Sequence, residues 1–491
     1  MRIVLAASEM VPYSKTGGLA DVVGALAKAL GERGHEVFAI VPYYKGTMEQ
    51  RSRFNIEEID AVFSVPMSER EEYGEIFRAT LGDKVTVYFI GKEAYYSRDQ
   101  LYGTSRGDYP DNAERFIFFS KAVLEVCKVL GIRPDVLHCN DWQTGLVPIY
   151  LKTLQKGTPV FEETASLFTI HNIGYQGLFW HLDMHLTNLP WDLFVPEGIE
   201  FFGKINLLKA GIVGADILTT VSPRYAKEIQ TPEFGRGLDG ILSKRSGRLF
   251  GVLNGVDYSE WNPQTDKFLA ANYGPDDISG KQACKRDLLE QFGISPLDDT
   301  PLLGMVSRLT DQKGFDILAP VMEQILADDY QFVLLGTGEE KYHALFRELA
   351  ERHTGKIGIK LAFSNELAHK IEAGADIFLM PSHYEPCGLN QMYSLKYGTV
   401  PLVRATGGLD DTIIDYPSSP SKGNGFKFAE YTSAALLEKL RQARHYYEDK
   451  EQWNRIIRNG MACDFSWDAS ARKYEDLYQK AIYLRSERVT V

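Results

Sequence analysis

The chain has 491 residues, which is too long for one ordinary hydrophobic core and predicts two or three domains. Apolar residues make up 44% of the sequence and charged residues 24%, a balance typical of globular proteins. The formal net charge of −12 argues against nucleic acid or another polyanion as a partner.

The first predicted element is a strand over residues 2–8, followed by a helix whose apolar residues recur at helical spacing. The turn between them contains Lys15 and the adjacent glycines Gly17 and Gly18. Glycines let the backbone approach a ligand closely, and a helix start offers free N–H groups and the positive end of its dipole. This turn therefore predicts a phosphate site, with a tight turn that binds nothing as the alternative.

Strands and amphipathic helices alternate through the first half of the chain. Several strands are continuous apolar runs, which is typical of parallel strands covered on both faces. The predicted strands are 2–8, 36–42, 85–90, 136–140, 166–171, 217–221 and 249–253. Functional groups in such sheets follow the carboxyl ends of the strands. That rule selects Lys15, Asn140, Asp141, Trp142, His171, Asn172, Ser222 and Asn254.

Two kinds of side chain near this predicted sheet edge are candidates for a binding site. His171 is bracketed by polar residues and glycines, which favours a role in a site over that of a packed core histidine. Aromatic side chains with flat apolar faces and polar rims suit stacking on sugar rings. The candidates for stacking are Tyr95, Tyr96, Trp142 and Tyr175.

A second lobe is predicted in the other half of the chain. Residues 254–265 are rich in turn formers and predict a linker. A strand over 301–308, a loop and a helix from Phe315 then repeat the plan of the opening residues. Further strands are predicted at 331–336, 359–363, 377–381 and 400–403, and helices at 431–460 and 466–485. The sequence therefore predicts an α/β protein with two parallel-sheet lobes facing a central cleft.

The loop after the strand at 301–308 carries Arg308 and Lys313, a guanidinium and an ammonium five residues apart. Such a pair is suited to hold a diphosphate from two sides. The alternative is a solvated loop with ordinary surface charges. The position of the pair directly after a buried strand favours the diphosphate.

Glu385 precedes a helix start predicted at Pro386 and Gly388. Its carboxylate either caps that helix or contacts the hydroxyls and the reacting carbon of a sugar. A third glycine turn, at residues 406–408, follows the next strand. Cys387 is more typical of a packing residue than of a nucleophile, because no basic residue adjoins it in the sequence.

The sequence contains no Asp-x-Asp motif. A site that bridges a diphosphate through a divalent metal would normally supply such carboxylates. Group transfer without a metal ion is therefore expected, and no cofactor is expected either.

The cysteine pattern indicates a compartment. The five cysteines are scattered and form neither a disulfide framework nor a zinc pair, which suits a reducing cytoplasm. The early strand predicts neither a signal peptide nor a transit peptide. No apolar stretch approaches the ~20 residues that cross a bilayer, so no contact with a membrane is expected.

Taken together, these motifs closely resemble bacterial glycogen synthase and the catalytic part of plant starch synthase, essentially from end to end. The resemblance rests on the motif at 15–22, Asn140-Asp141-Trp142, His171-Asn172, Ser222-Pro223, the motif at 254–257, Arg308 with Lys313-Gly314, the motif at 385–389 and the motif at 406–409. One departure is Ala27, where the family often has proline; this position lies inside the helix.

The resemblance implies the two-lobed GT-B architecture of Rossmann-like lobes. It also implies transfer of glucose from ADP-glucose to the non-reducing end of an α-1,4-glucan, with retained anomeric configuration. The domains implied are a first lobe at 1–258, a second lobe at 259–465 on the nucleotide-sugar side, and a helix at 466–491 that returns to the first lobe.

The resemblance also implies roles for single residues. Lys15, Arg308 and Lys313 hold the diphosphate, His171 lies by the transferred glucose, and Glu385 contacts the donor sugar. Asp21, Asp141, Asn172 and Asn254 line the cleft. The rest of the predicted substrate-binding set is Gly17, Gly18, Tyr95, Asn140, Trp142, Tyr175, Cys387, Gly388, Leu389, Thr406, Gly407 and Gly408.

Three alternatives stay open at this point. A glucan phosphorylase would hold pyridoxal phosphate on a lysine, although such enzymes are usually much longer. A glucan-binding protein on an inactive transferase fold would have lost the charged cleft residues, which are present here. A transferase that uses UDP-glucose differs only in its donor. The sequence leaves open whether the chain forms a homo-oligomer.

Overall fold

The computed structural model of the protein describes residues 1–489, with side chains described up to residue 487. The chain divides into two compact units. The first contains Met1–Gly255 and the chain from Trp467 onward, and the second contains Val256–Ser466. The domain boundaries expected from the sequence, after residues 258 and 465, stay a prediction.

The first unit is built on a nine-stranded sheet. From one edge to the other its strands are Leu249–Gly251, Ile217–Thr220, Ala165–Ile170, Val136–Asn140, Arg2–Ala6, Glu36–Pro42, Val85–Gly91, Arg70–Leu81 and Glu57–Met67. Neighbours are parallel along this order as far as Val85–Gly91, and the last two strands add an antiparallel hairpin. All seven strands predicted in this half of the chain are confirmed, and the hairpin was not predicted.

Two smaller sheets accompany it. A three-stranded antiparallel sheet is formed by Leu178–Trp180, Lys204–Asn206 and Glu200–Phe201, and a short hairpin by Gly103–Thr104 and Gly107–Asp108. The α-helices of this unit are Gly18–Glu32, Lys45–Met48, Glu93–Tyr96, Asn112–Val129, Val147–Lys152, Met184–Thr187, Leu207–Gly214, Pro223–Glu228, Asp239–Lys244 and Trp467–Val489.

The helix Trp467–Val489 belongs to the first unit although it follows the second in the chain. Tyr474 and Tyr478 of this helix are buried in the core of that unit. A hydrogen bond of 2.8 Å joins Tyr478 Oη to His138 Nδ1 in the sheet. Tyr483, further along the same helix, is 61% exposed.

The second unit is built on a six-stranded parallel sheet. Its strands, in order, are Ile357–Lys360, Gln331–Leu335, Leu302–Val306, Ile377–Met380, Val400–Arg404 and Phe426–Phe428. The five strands predicted here are confirmed, and the short edge strand at 426–428 was missed. The α-helices are Gly280–Gln291, Phe315–Leu318, Met322–Ala327, Glu340–Arg352, Asn365–Gly374, Asn390–Lys396, Gly407–Thr412, Ser433–Glu448 and Lys450–Met461.

The helical stretch predicted at 431–460 is two helices that meet at Asp449. The side chain of Asp449 accepts hydrogen bonds from the main-chain N–H groups of Glu451 and Gln452. A carboxylate in that position caps the first turn of a new helix. The helical pattern of residues 431–460 therefore covers two helices and not one. Both units therefore have the parallel-sheet α/β architecture expected from the sequence.

Candidate active site

The glycine turn at the carboxyl end of the first strand is closed by a carboxylate that the sequence did not single out. Glu9 is buried, and its carboxylate accepts hydrogen bonds from Thr16 N at 2.5 Å, Thr16 Oγ1 at 2.8 Å and Gly17 N at 3.3 Å. Tyr102 Oη donates to the same carboxylate at 2.7 Å. Glu9 therefore fixes this turn and occupies two N–H groups that we expected a phosphate to bind.

Gly17 and Gly18 are not required by the fold of this unit. Gly17 has φ −155° and ψ −168°, an extended conformation that any residue adopts. A Cβ atom added to either glycine would meet no atom within 4 Å. The missing side chains leave open space directly above the backbone, which is the room that a ligand in close approach would need.

Asp141 follows the strand Val136–Asn140 in a strained backbone conformation. Its φ of 57° with ψ −179° is a region that only glycine adopts freely, at a typical cost of about 1–3 kcal/mol. The strain places the carboxylate where Oδ1 accepts a hydrogen bond of 2.8 Å from His171 N. Burial raises the pKa of Asp141 to about 7.

The next strand brings His171 against Asn140, as the strand-end rule predicted. Asn140 Nδ2 donates to the carbonyl of Ala6 at 3.1 Å, so its Oδ1 faces His171 Nε2 at 2.9 Å. His171 Nε2 therefore carries the proton, and Nδ1 is the basic nitrogen. Burial lowers the pKa of His171 to about 3, so the ring is neutral at physiological pH.

Two asparagines complete this edge of the sheet. Asn172 Oδ1 accepts a hydrogen bond of 2.9 Å from Gly174 N. Asn254 is buried after the edge strand, and its Oδ1 has no hydrogen-bond partner within residues 1–487. A buried acceptor without a partner is costly, so this oxygen is suited to a donor supplied by a ligand or a water molecule.

The aromatic candidates occupy different environments. Tyr95 is 5% exposed, packs against Phe118, and donates its hydroxyl hydrogen to Glu114. Trp142 is partly exposed, and its ring lies 5.6 Å from that of Phe179. Tyr175 is 60% exposed. Trp142 and Tyr175 therefore have free surface for a sugar, whereas Tyr95 belongs to the core.

The sequence reasoning did not single out a cluster of exposed rings that follows Tyr175. Of the fifteen large apolar side chains exposed in the described structure, seven lie within residues 175–202. They include Trp180, Trp191 and Phe202. Scattered exposed apolar residues are ordinary, but so many within one segment of the chain make it a candidate binding surface. The density of aromatic residues in this stretch is the signal that could have revealed it.

In the second unit, a cavity of about 230 Å³ opens at the carboxyl ends of the strands Leu302–Val306 and Ile377–Met380. Its lining residues are Met305, Val306, Ser307, Arg308, Lys313, Leu379, Met380, Ser382 and Asn390. The structure thus brings the predicted Arg308 and Lys313 to one cavity. Ser382 and Asn390 are additional lining residues that were not predicted.

Lys313 and Glu385 form an ion pair beside this cavity. Lys313 Nζ lies 2.5 Å from Glu385 Oε2, with the two side chains 20% and 9% exposed. Ser382 Oγ donates to the same oxygen at 3.2 Å. Gly314 makes this approach possible, because it has φ +83° and an added Cβ atom would lie 2.2 Å from the carbonyl oxygen of Pro381.

Arg308 differs from the other predicted cations. Its side chain is exposed at the cavity, and within residues 1–487 the guanidinium has no carboxylate or hydrogen-bond partner. Lys15, in contrast, pairs with the predicted site residue Asp21 at 2.8 Å. Arg308 therefore supplies the uncompensated positive charge of the cavity in the second unit.

The turn at 406–408 supports Glu385 from behind. Gly408 N donates to the carbonyl oxygen of Glu385 at 3.2 Å. An added Cβ atom on Gly407 would lie 1.9 Å from the same oxygen, and one on Gly408 would lie 2.0 Å from the carbonyl oxygen of Cys387. Unlike Gly17 and Gly18, these glycines are required by close packing.

Neither a metal-binding cluster nor a membrane-spanning helix occurs among the described residues. Within residues 1–487, the Asp, Glu, His and Cys side chains form no group of three or more that could hold a metal ion. No helix among residues 1–489 combines the length and the apolar character needed to span a bilayer.

Comparison with known proteins agrees with these observations. Residues 2–244 match the starch synthase catalytic domain family, and residues 289–460 match the family of group 1 glycosyl transferases. The glycogen synthase of Koribacter versatilis is 49% identical over 99% of both chains. That of Geotalea uraniireducens is 47% identical over 98% of this chain and 99% of its own.

Solved structures give the same result. The catalytic domain of starch synthase IV from Arabidopsis thaliana, bound to ADP and acarbose, is 33% identical, with a TM-score of 0.87 over 98% of this chain and 99% of its own. A sucrose-phosphate synthase from Thermosynechococcus elongatus, 18% identical with a TM-score of 0.58 over 98% of both chains, shares the fold. The chain therefore belongs to the glycogen synthase and starch synthase family of GT-B glycosyltransferases, the family whose ADP-glucose-dependent elongation of α-1,4-glucans its motifs predicted.

Proposed function

We propose that the protein transfers glucose from ADP-glucose to the 4-hydroxyl at the non-reducing end of an α-1,4-glucan, with retention and without a metal ion. The observation that carries this proposal is the exposed, uncompensated guanidinium of Arg308 at a cavity beside the Lys313–Glu385 ion pair. This arrangement suits a sugar linked to a diphosphate. The related starch synthase IV, solved with ADP and acarbose, supports the same ligand classes.

In this proposal the second unit binds the donor. Arg308 and Lys313 hold the diphosphate, and Glu385 contacts the glucose. Lys313 already has a carboxylate partner, so an incoming phosphate shares its charge, whereas Arg308 gains a first partner. Because the charge of Lys313 is balanced in the unliganded protein, Arg308 supplies most of the electrostatic attraction for the donor.

In the first unit, Lys15, Asp21, Asp141, Asn172 and Asn254 line the site in this proposal. The neutral ring of His171 lies by the transferred glucose and provides hydrogen bonds without adding charge. Trp142 and Tyr175 offer ring faces to the sugar units of the acceptor, and the exposed rings within residues 175–202 extend that surface.

The reaction that suits these residues is a front-face transfer. The bond between the anomeric carbon and the diphosphate oxygen breaks, and the acceptor 4-hydroxyl oxygen bonds to that carbon on the same face. The departing phosphate takes the proton of the hydroxyl, so products are the extended glucan and ADP. Arg308 and Lys313 stabilise the negative charge that builds on the leaving group.

A donor competition tests the proposal. With purified enzyme and glycogen, kcat/KM for ADP-glucose should exceed that for UDP-glucose, and excess EDTA should leave the rate unchanged. A higher kcat/KM for UDP-glucose would contradict the donor assignment. Loss of activity in EDTA that added Mg²⁺ restores would contradict the metal-free mechanism, and an aldimine absorbance band would indicate a phosphorylase.

The open space above Gly17 and Gly18 gives a second test. Gly17→Ala and Gly18→Ala should fold with an unchanged Tm, because an added methyl group meets no atom of this unit. Each should lower kcat/KM for ADP-glucose by about tenfold or more, since the methyl group occupies the room proposed for the ligand. Gly240→Ala, whose added Cβ atom also meets nothing within 4 Å, is the matched control. Unchanged kinetics in both variants would show that no ligand approaches this turn.

We further propose that the protein works in the cytoplasm. We also propose three functional parts, a lobe at 1–258, a donor-binding lobe at 259–465 and a C-terminal segment from residue 466, whose last two residues, 490 and 491, lie outside the described structure. The scattered free cysteines, four of them buried, suit a reducing compartment.

A further inference from the structure

A buried carboxyl group lies behind the wall of the cavity in the second unit. Glu372, in the last turn of the helix Asn365–Gly374, is fully buried. Its Oε1 accepts a hydrogen bond of 3.3 Å from Asn390 Nδ2, and its Oε2 lies 2.5 Å from Ser394 Oγ. Both partners are on the helix Asn390–Lys396, so one side chain holds the first two turns of that helix.

Asn390 connects this buried group to the cavity, because it lines the cavity together with Arg308 and Lys313. A side-chain amide has a donor end and an acceptor end. The hydrogen bond to Glu372 uses one of the two N–H groups of Asn390 and fixes the orientation of the amide, which leaves Asn390 Oδ1 and the second N–H for the cavity.

We infer that Glu372 is a positioning residue of the donor site, which acts by holding Asn390 in a fixed orientation in the cavity wall. This inference rests on the proposed function, since it assigns the cavity to the nucleotide sugar. Glu372 itself lies behind the wall and touches no substrate.

The electrostatic surroundings define the form in which Glu372 acts. Burial raises the pKa of Glu372 to about 8, and the hydrogen bonds from Ser394 and Asn390 and the charge of Lys281 oppose that shift. Lys281, from the helix Gly280–Gln291, is also buried, and burial lowers its pKa to about 8. The hydroxyls of Tyr273 and Tyr397 face the same region.

At neutral pH, Glu372 is therefore mostly protonated. The ionised carboxylate accepts from both Asn390 Nδ2 and Ser394 Oγ, whereas the neutral carboxyl group still accepts from Asn390 and has an O–H that can donate to the Ser394 hydroxyl oxygen. A glutamine side chain has the same shape and the same pattern of one acceptor and one donor. Glu372→Gln therefore imitates the neutral form at every pH.

The raised pKa also has a consequence for stability. An unfolded glutamate loses its proton near pH 4.5, whereas Glu372 in the folded protein keeps it until about pH 8. The folded state binds more protons between these values, so the free energy of unfolding falls as the pH rises through this window. Glu372→Gln should make this decline shallower by the contribution of Glu372, which thermal melts at several pH values can measure without any activity assay.

The kinetic test uses two substitutions at Glu372. Glu372→Met, which removes both hydrogen bonds, should raise KM for ADP-glucose about tenfold and change kcat less than about twofold, because a freely rotating Asn390 weakens binding of the donor. Glu372→Gln should stay within about twofold of the wild type at pH 7.

A double-mutant cycle then tests whether the effect acts through Asn390. In an Asn390→Ala background, Glu372→Met should change the donor KM by less than about twofold. Thr399→Val is the matched control, because Thr399 Oγ1 donates to the main-chain carbonyl oxygen of Glu372 without reaching Asn390. It should lower the Tm and leave the donor KM unchanged.

Three results would overturn the inference. They are an equal effect of Glu372→Met with and without Asn390, a Glu372→Gln variant as impaired as Glu372→Met, and a donor KM raised equally by Thr399→Val. If Glu372→Met does not fold, Asn390→Ala decides, because a donor KM within about twofold of the wild type in that variant would show that the cavity wall does not use Asn390. A wild-type enzyme inactive with ADP-glucose would instead contradict the proposed function.

Discussion

Glu385→Gln is expected to lower kcat by about 10²–10³, the typical loss when one group that stabilises a transition state is removed. Positive charge develops on the donor glucose as its bond to the diphosphate breaks, and the Glu385 carboxylate is the anion proposed to balance it. Glutamine keeps the shape and can still accept from Lys313 and Ser382. We therefore expect a nearly unchanged Tm, and kcat with saturating ADP-glucose and glycogen is the measurement.

The control for this substitution is Glu339→Gln. Glu339 pairs with Lys341 at 3.0 Å, and both side chains are about half exposed. The same chemical change is thus made at an ordinary surface ion pair, where little energy is at stake. If Glu385→Gln turns over as fast as the control, Glu385 is a helix cap and not a catalytic residue.

Arg308→Ala and Lys313→Ala should each lower kcat by about 10²–10³, because both cations stabilise the negative charge on the leaving diphosphate. Their effects on stability should differ. Arg308 is exposed and has no described partner, so its removal should leave the Tm unchanged. Removal of Lys313 leaves the Glu385 carboxylate buried and unpaired, which should lower the Tm.

Steady-state kinetics and thermal melts of both single variants and the double variant measure these effects. The double variant should lose less than the product of the single losses, since both cations act on one diphosphate. Lys450→Ala, at an exposed pair with Asp299, is the control for loss of a surface lysine. A fall in kcat of less than about threefold in both single variants would mean that this loop carries only surface charges.

The parallel sheets could be predicted because their strands are buried on both faces and are therefore apolar throughout. The hairpin Arg70–Leu81 with Glu57–Met67 was missed by that rule, since its residues largely alternate between buried and exposed positions and form no continuous apolar run. The edge strand Phe426–Phe428 is only three residues long, too short for any period to be recognised.

The positions of the site residues were predictable for a different reason. Parallel strands deliver their carboxyl ends to one edge of a sheet, so residues such as His171 and Arg308 could be selected from strand ends alone. Their partners could not be selected in this way. Glu385 lies 72 residues from Lys313, and only the folded chain shows that the two pair.

Tyr95 and Glu9 also have roles that the local sequence does not indicate. Tyr95 is a residue type that often stacks on sugars, but its ring is packed into the core. No local pattern in the sequence indicates that burial. Glu9 stands next to the predicted phosphate turn, and its role depends on a hydrogen bond from Tyr102, 93 residues away. The roles of both residues depend on tertiary contacts.

The helix Trp467–Val489 reverses the order in which the two units can be completed on the ribosome. The core of the first unit contains Tyr474 and Tyr478, which are translated only after the whole of Val256–Ser466. At about 5–20 residues per second, the first sheet is without this helix for about 10–40 seconds. The second unit is continuous in the sequence and is complete before its predecessor. The nascent chain therefore carries an exposed apolar face on the part that was made first.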